Sequence, residues 1–135
     1  MKRSLKAFLI LAVVVAVFIV AFSILFQGIN RNLDDLQYYT YGDLNLEGIA
    51  DGTYRGTFER FPIAVEVDVV VEDETVTSIF IVRHQSGQGE PAEGIVVPVI
   101  EAQSLNVAVV AGATYSSYAI LLAIEQALEG ARASS

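Results

Sequence analysis

Few side chains in this sequence are equipped for chemistry, and most of them fall within one short stretch. Ala111-Gly-Ala-Thr-Tyr-Ser-Ser117 sets three aliphatic hydroxyls, Thr114, Ser116 and Ser117, behind the small residues Gly112 and Ala113. The stretch lies where an apolar, strand-like run from Val107 gives way to an amphipathic helix. Thr114 is the expected N-cap of that helix, with Ser117 at N3. The unpaired N–H groups of a first helical turn, together with the helix dipole, form an anion site suited to a phosphate. Gly112 and Ala113 lack bulk, which leaves a ligand room to approach the backbone.

The lone histidine, His84, follows an apparent strand in Arg83-His-Gln-Ser-Gly-Gln-Gly89. Its glycines suit a loop that approaches a ligand, and an exposed loop histidine is the plainer alternative. Tyr115 and Tyr118 flank the helix start, placed either to stack on a planar ligand or to pack on the sheet. No Ser-His-Asp set or close carboxylate pair points to hydrolysis, so no catalytic residue is assigned. With no cysteine and one histidine, thiolate metal sites, histidine metal clusters, disulfides and a cysteine nucleophile are excluded, and no metal ligand is assigned.

These residues must be positioned by a small protein. The chain has 135 residues, 53% of them hydrophobic, room for one small domain with additions. From Ala7 to Phe26 only Ser23 is polar, and twenty helical residues span roughly 30 Å, the hydrocarbon thickness of a bilayer. Residues 1–26 are therefore read as a cytoplasmic N-terminus and a single transmembrane helix. A cleaved signal peptide is the competing reading, but the run is long and ends Ile24-Leu25-Phe26-Gln27, without small residues spaced for cleavage. Lys2, Arg3 and Lys6 precede the span, whereas residues 27–135 hold five basic residues against sixteen acids, a net of −11. That asymmetry predicts a single-pass protein of the plasma (inner) membrane, N-terminus in the cytoplasm and the rest extracytoplasmic. It also argues against nucleic acid as a partner.

Residues 27–50 show no sustained period and are read as a juxtamembrane stalk, about 27 Å root-mean-square if flexible, with Tyr38, Tyr39 and Tyr41 as an aromatic belt at the lipid interface. Residues 51–135 form the domain. Period-two alternation from Gly52 to Arg83 predicts three antiparallel strands with turns at Phe61-Pro62 and Asp73-Glu74. Two helices are expected to cover the sheet: residues 92–104, with a kink or break at Pro98, and residues 116–128, ended by Gly130. The fold class is thus α+β, a transmembrane helix followed by a small antiparallel sheet under two helices.

Asp51-Gly-Thr-Tyr-Arg-Gly56, the Val65 to Val82 hairpin, His84 with Gly87 and Gly89, Ala92-Glu93, Glu101-Ala-Gln-Ser104 and Gly112-Ala-Thr-Tyr-Ser-Ser117 occur in an order and spacing that carry a resemblance. Over residues 51–130 the chain resembles the FMN-binding domain of the C subunit of the sodium-pumping NADH:quinone reductase and the G subunit of the Rnf electron-transport complex, in its short single-span form. The resemblance implies FMN as cofactor, covalent or non-covalent. The acceptor would be Thr114, esterified to the FMN phosphate by a separate flavin transferase that uses FAD. Gly112, Ala113, Tyr115, Ser116, Ser117 and His84 are then the candidate cofactor-binding residues. It further implies an electron-transfer protein or subunit, working with redox protein partners, more than a self-contained enzyme. The family pattern Asp-x-x-Ser/Thr-Gly-Ala-Thr is met here with Ala108 and Ala111 at its first two polar positions. A flavin-free relative serving as a membrane-anchored structural or binding subunit is therefore the second expectation, and a domain for another planar or phosphorylated ligand the third.

Overall fold

The computed structural model describes residues 2–87 and 89–134, without the side chains of residues 2–4, 29–32 and 38. It divides into two units, residues 1–32 and 33–135. The first is carried by α1 (Lys2–Asp34), whose stretch Leu5–Gly28 is long and apolar enough to cross a membrane. Its apolar side chains are exposed along the whole of that stretch. Ser23 donates its hydroxyl to the Ile19 carbonyl 2.7 Å away, so the one polar side chain of the run is satisfied within its own helix.

The second unit is built on β1 (Gly52–Arg60), β2 (Ile63–Glu72) and β3 (Thr75–Gln85), antiparallel in the order β1-β2-β3. The alternation in β2 sets its faces. Ile63, Val65, Val67, Val69 and Val71 are buried, while the intervening residues stay partly solvated. On the solvated face Arg55 holds Asp68 through two hydrogen bonds of 2.7 and 2.8 Å and meets Glu66 at 2.9 Å. The Arg55 guanidinium keeps the Asp68 carboxyl below the usual carboxylate range. The β2–β3 turn is made by Asp73 and Glu74, both at positive φ, and the Asp73 N–H donates to the Asp51 carboxylate at 2.9 Å.

The apolar face is covered by α3 (Thr114–Ala133), which lies over β1 and β2, and by α2 (Val96–Ala102) beside β3. Ile120, Leu121, Ile124, Ala127 and Leu128 are buried on α3, as their helical spacing predicts. The helix runs longer than expected at both ends: Gly130 lies inside it, and it stops only at Ala133. The helix expected over residues 92–104 is instead a 3-10 turn, Glu90–Ile95, leading into α2. Pro98 is accommodated because it falls in the first turn of α2, where a missing N–H breaks no helical hydrogen bond.

Residues 33–50 are not a detached stalk. Leu33, Leu36, Leu46 and Ile49 are buried, the Leu105 N–H donates to the Gly42 carbonyl at 3.1 Å, and the Leu44 N–H donates to Gln103 at 3.2 Å. Each of these leucines fills its own gap along an irregular path, so no period marks them in the sequence. The tyrosines follow suit: Tyr41 stacks on Tyr118 with ring centroids 5.6 Å apart and planes at 3°, and Tyr39 tilts against Tyr41 at 5.2 Å. They form a cluster on the domain where an interfacial belt was expected, and burial raises the Tyr41 phenol above its ordinary value. The side chain of Tyr38 lies outside the described residues.

Both sheet edges are capped by glutamine carboxamides. Gln126 on α3 accepts the Thr57 N–H of β1. Gln103, just past α2 in a left-handed conformation, accepts the Val76 N–H at 2.9 Å and donates to the Val76 carbonyl at 2.9 Å and to Ile100 at 2.7 Å. The side chain thus stands in for a missing strand. Gln103→Ala leaves the Val76 N–H and two carbonyls unpaired in a part-buried site and is expected to cost about 2–3 kcal/mol. Gln103→Glu, which keeps the acceptor and loses the donor, should fall between; denaturant midpoints rank the three proteins.

Candidate functional site

The entry to α3 is shaped by its local sequence. Gly112 adopts φ +80°, a conformation that few other residues tolerate. Ala113 occupies the N-cap position and has no side chain to offer the helix, and Thr114 is the first helical residue, one place later than the capping pattern predicts. The N–H groups of Thr114, Tyr115 and Ser116 consequently find no acceptor among the described residues. Nor does the Thr114 hydroxyl have a hydrogen-bond partner there. Among the described residues, a 20-residue helix thus presents three unpaired donors and a free hydroxyl at its positive end.

The turn is held from within by Ser117. Fully buried, it donates its hydroxyl to the Ala113 carbonyl at 2.8 Å and accepts the Val110 N–H at 3.1 Å. Ala108 and Ala111, which stand where the family pattern has polar side chains, are both exposed. The fold of the turn therefore does not depend on side chains at those two places. Ser117→Ala strands the Val110 N–H and is expected to lower stability by about 1–3 kcal/mol, with the loss read from the thermal midpoint of the full chain.

Three segments converge on this helix entry around a cavity of about 230 Å³. Pro62 and Ile63 from the β1–β2 turn form one wall, Ser86, Gly87 and Gly89 from the loop after β3 form a second, and Gly112 to Ser116 form the third. The loop approaches α3 so closely at Gly89 that a Cβ there would overlap Ser116 and lie 2.6 Å from the Ser86 hydroxyl oxygen. Tyr115 lines the cavity while its hydroxyl donates to Asp34 at 2.7 Å, a bond that raises its phenol pKa.

Of the residues singled out in the sequence, Gly112, Ala113, Thr114, Tyr115 and Ser116 share the cavity lining. Ser117 lies behind it as the brace of the turn. Tyr118 stacks on Tyr41 instead of lining the cavity. His84 is neither an exposed loop residue nor part of the lining: its side chain is 2% exposed, and Nδ1 lies 3.0 Å from Glu93 Oε1. Sequence reasoning placed the loop that holds Ser86, Gly87 and Gly89 near a ligand but passed over Pro62 and Ile63, because a turn between strands carries no sign of facing a ligand until the fold brings it to the helix entry.

A phosphate ester fits this arrangement. The unpaired N–H groups supply neutral donors for its charge, and the Thr114 hydroxyl lies beside them at the cavity. Pockets that enclose a drug-sized ligand run from about 300 to 1,000 Å³, so the cavity has room for a phosphate and part of a polyol chain but not for a whole nucleotide. Residues 61–129, half of the chain, match the family model for the FMN-binding domain. The chain belongs to the FMN-binding domain family, with FMN as its cofactor. No curated protein sequence matches it.

Proposed function

We propose that this protein is a membrane-anchored flavin carrier that relays electrons between a membrane redox donor and an extracytoplasmic acceptor, with FMN joined to Thr114 through its phosphate. The observation that carries this reading is the Thr114 hydroxyl beside three N–H groups at the cavity, all without partners among the described residues. When bound, FMN supplies one- and two-electron chemistry that no side chain of this protein offers.

The chain's own contribution is to bind, orient and tether. Thr114 supplies the ester oxygen, and the first-turn N–H groups of α3 neutralise the remaining phosphate charge. In the linking reaction a flavin transferase directs the Thr114 oxygen at the FMN phosphorus of FAD; the hydroxyl proton is lost and AMP departs. Ser117 keeps Thr114 presented with or without polar residues at 108 and 111. The small cavity suits the phosphate end of the cofactor and leaves the rest near the surface, where redox proteins meet through small, transient contacts. The acidity of residues 27–135 favours partners with basic docking faces. Only four residues separate the apolar stretch ending at Gly28 from the folded unit starting at Leu33, a short leash for an anchored carrier. The basic N-terminus and acidic remainder support an orientation with the domain outside the plasma membrane.

Purification of the full chain from cells that hold the flavin transferase tests the proposal. Yellow protein whose flavin survives denaturation, and takes up and returns electrons reversibly in an anaerobic titration, is the expected result. A colourless chain of unmodified mass overturns it. That outcome supports the second reading, favoured by Ala108 and Ala111, of a flavin-free subunit that binds another membrane protein.

A further inference from the structure

Among the described residues, the loop that makes the second wall of the cavity has few ties of its own. Between the end of β3 and the 3-10 turn, the Gly89 N–H donates to the Ser86 carbonyl at 2.7 Å and the Ala92 N–H to the Gly89 carbonyl at 2.9 Å. Gly87 and Gly89 give the segment no side chains with which to hold itself in place, yet Gly89 must lie against Ser116 to form the wall. Among the described residues, one side-chain hydrogen bond joins its two flanks, His84 Nδ1 to Glu93 Oε1 at 3.0 Å, which bridges the base of the loop from β3 to the 3-10 turn.

We infer that His84 is a positioning residue which, through Glu93, straps the wall made by Ser86, Gly87 and Gly89 against the entry to α3, and does not itself touch the cofactor. Three observations carry this. The imidazole is almost wholly buried, outside the cavity lining. A carboxylate facing Nδ1 calls for a proton on that nitrogen, and Nε2 is buried with no partner among the described residues. A buried imidazole with one nitrogen unpartnered among the described residues is a poor choice for packing alone, since an apolar side chain fills such a site without that penalty. What the imidazole adds is the bond to Glu93, whose own side chain is 42% exposed and contributes little to the core.

The inference rests on the FMN reading, and its test separates the two. The full chain, prepared in detergent from cells lacking the flavin transferase, is titrated with FMN, and amide exchange at Gly89 and Ala92 is followed without ligand. Glu93→Ala and His84→Leu should each weaken FMN binding about tenfold, the double variant should be no weaker than either, and Glu93→Gln should recover most of the affinity because its carboxamide oxygen still accepts from Nδ1. Exchange at Gly89 should quicken about tenfold in both disrupting variants, while the thermal midpoint of His84→Leu stays level or rises. Loss of affinity in His84→Leu alone would show direct contact between His84 and the cofactor and overturn the strap. Unchanged binding and exchange in both variants would overturn it equally. Should the wild-type chain fail to bind FMN, the functional reading falls, and exchange at Gly89 still decides the strap: faster in both variants supports it, unchanged removes it.

Discussion

Replacing Thr114 by alanine will abolish covalent flavin attachment while leaving the domain folded. Thr114 lines the cavity and its hydroxyl has no hydrogen-bond partner among the described residues, so its loss breaks no hydrogen bond within the turn. Removal of its oxygen deletes the hydroxyl assigned as the phosphoester acceptor, while the Ser116 hydroxyl in the same lining is left in place. The measurement is the intact mass of the full chain under denaturing conditions, with fluorescence read on the same gel band. Wild type should be heavier than its sequence by one FMN less one water, the modification should map to the peptide bearing Thr114, and Thr114→Ala should have the unmodified mass. Thr114→Ser, which keeps the hydroxyl, should retain the adduct. Ala108→Asp with Ala111→Ser bears on a different step. Both positions are exposed and the turn is braced by Ser117, so restoring polar groups there acts on the encounter with the transferase and should raise occupancy without moving the melting point. Covalent FMN persisting in Thr114→Ala would assign the linkage to another residue.

The parts of the fold legible in the sequence were those governed by a period. Val65, Val67, Val69 and Val71 announce a strand with one buried face, and Ile120, Ile124, Ala127 and Leu128 announce a helix that covers it. Element ends were less legible, because they are decided by packing. Gly130 signals a stop, but Ala131 is buried against the domain and draws the helix on to Ala133. Residues 33–50 were illegible for a related reason: Leu33, Leu36, Leu46 and Ile49 are core residues presented by an irregular chain, and no window of the sequence distinguishes them from a stalk.

At the site, the continuous segment Gly112 to Ser116 was readable because one turn of backbone makes it, and small residues before a helix have local meaning. The capping role was misplaced by one residue: Thr114 looks like a cap in sequence, but Ala113 takes that position and leaves the hydroxyl unspent. The partners of His84 and Tyr115 were beyond reach, since Glu93 and Asp34 are brought to them only by the finished fold. The resemblance named the cofactor; the structure located the donors that suit its phosphate.

Gly56→Ala is expected to be the most destabilising single substitution of those considered, and the reason lies in how α3 reaches the sheet. A Cβ at Gly56 would overlap the Ala123 carbonyl oxygen and lie 2.7 Å from the Ala127 backbone nitrogen and 2.9 Å from the Ala127 Cβ. Two of those three neighbours are backbone, so no rotamer change relieves the collision and the helix itself must lift from β1. Lifting it uncovers the valines of β2 and loosens the seating of Thr114 at the far end of the same helix. Overpacking commonly costs about 1–3 kcal/mol, and more where the neighbours cannot yield; a loss of about 3 kcal/mol or more is expected. For a folded unit of this size that corresponds to a fall in melting temperature of roughly 12 °C or more. Gly52→Ala, in the same strand, is the control: the nearest atoms its Cβ would meet belong to the Tyr54 side chain at 3.7 Å, an ordinary contact, and its midpoint should move little. Equal effects at the two glycines would mean that strand propensity, not the helix crossing, sets the requirement. Removing the Ala127 methyl with Ala127→Gly should not rescue Gly56→Ala, because the Ala123 carbonyl remains in the way. The glycine that opens the way for α3 is thus as necessary to the site as the threonine at its entry, because only a helix seated on β1 holds its first turn beside the Gly89 wall.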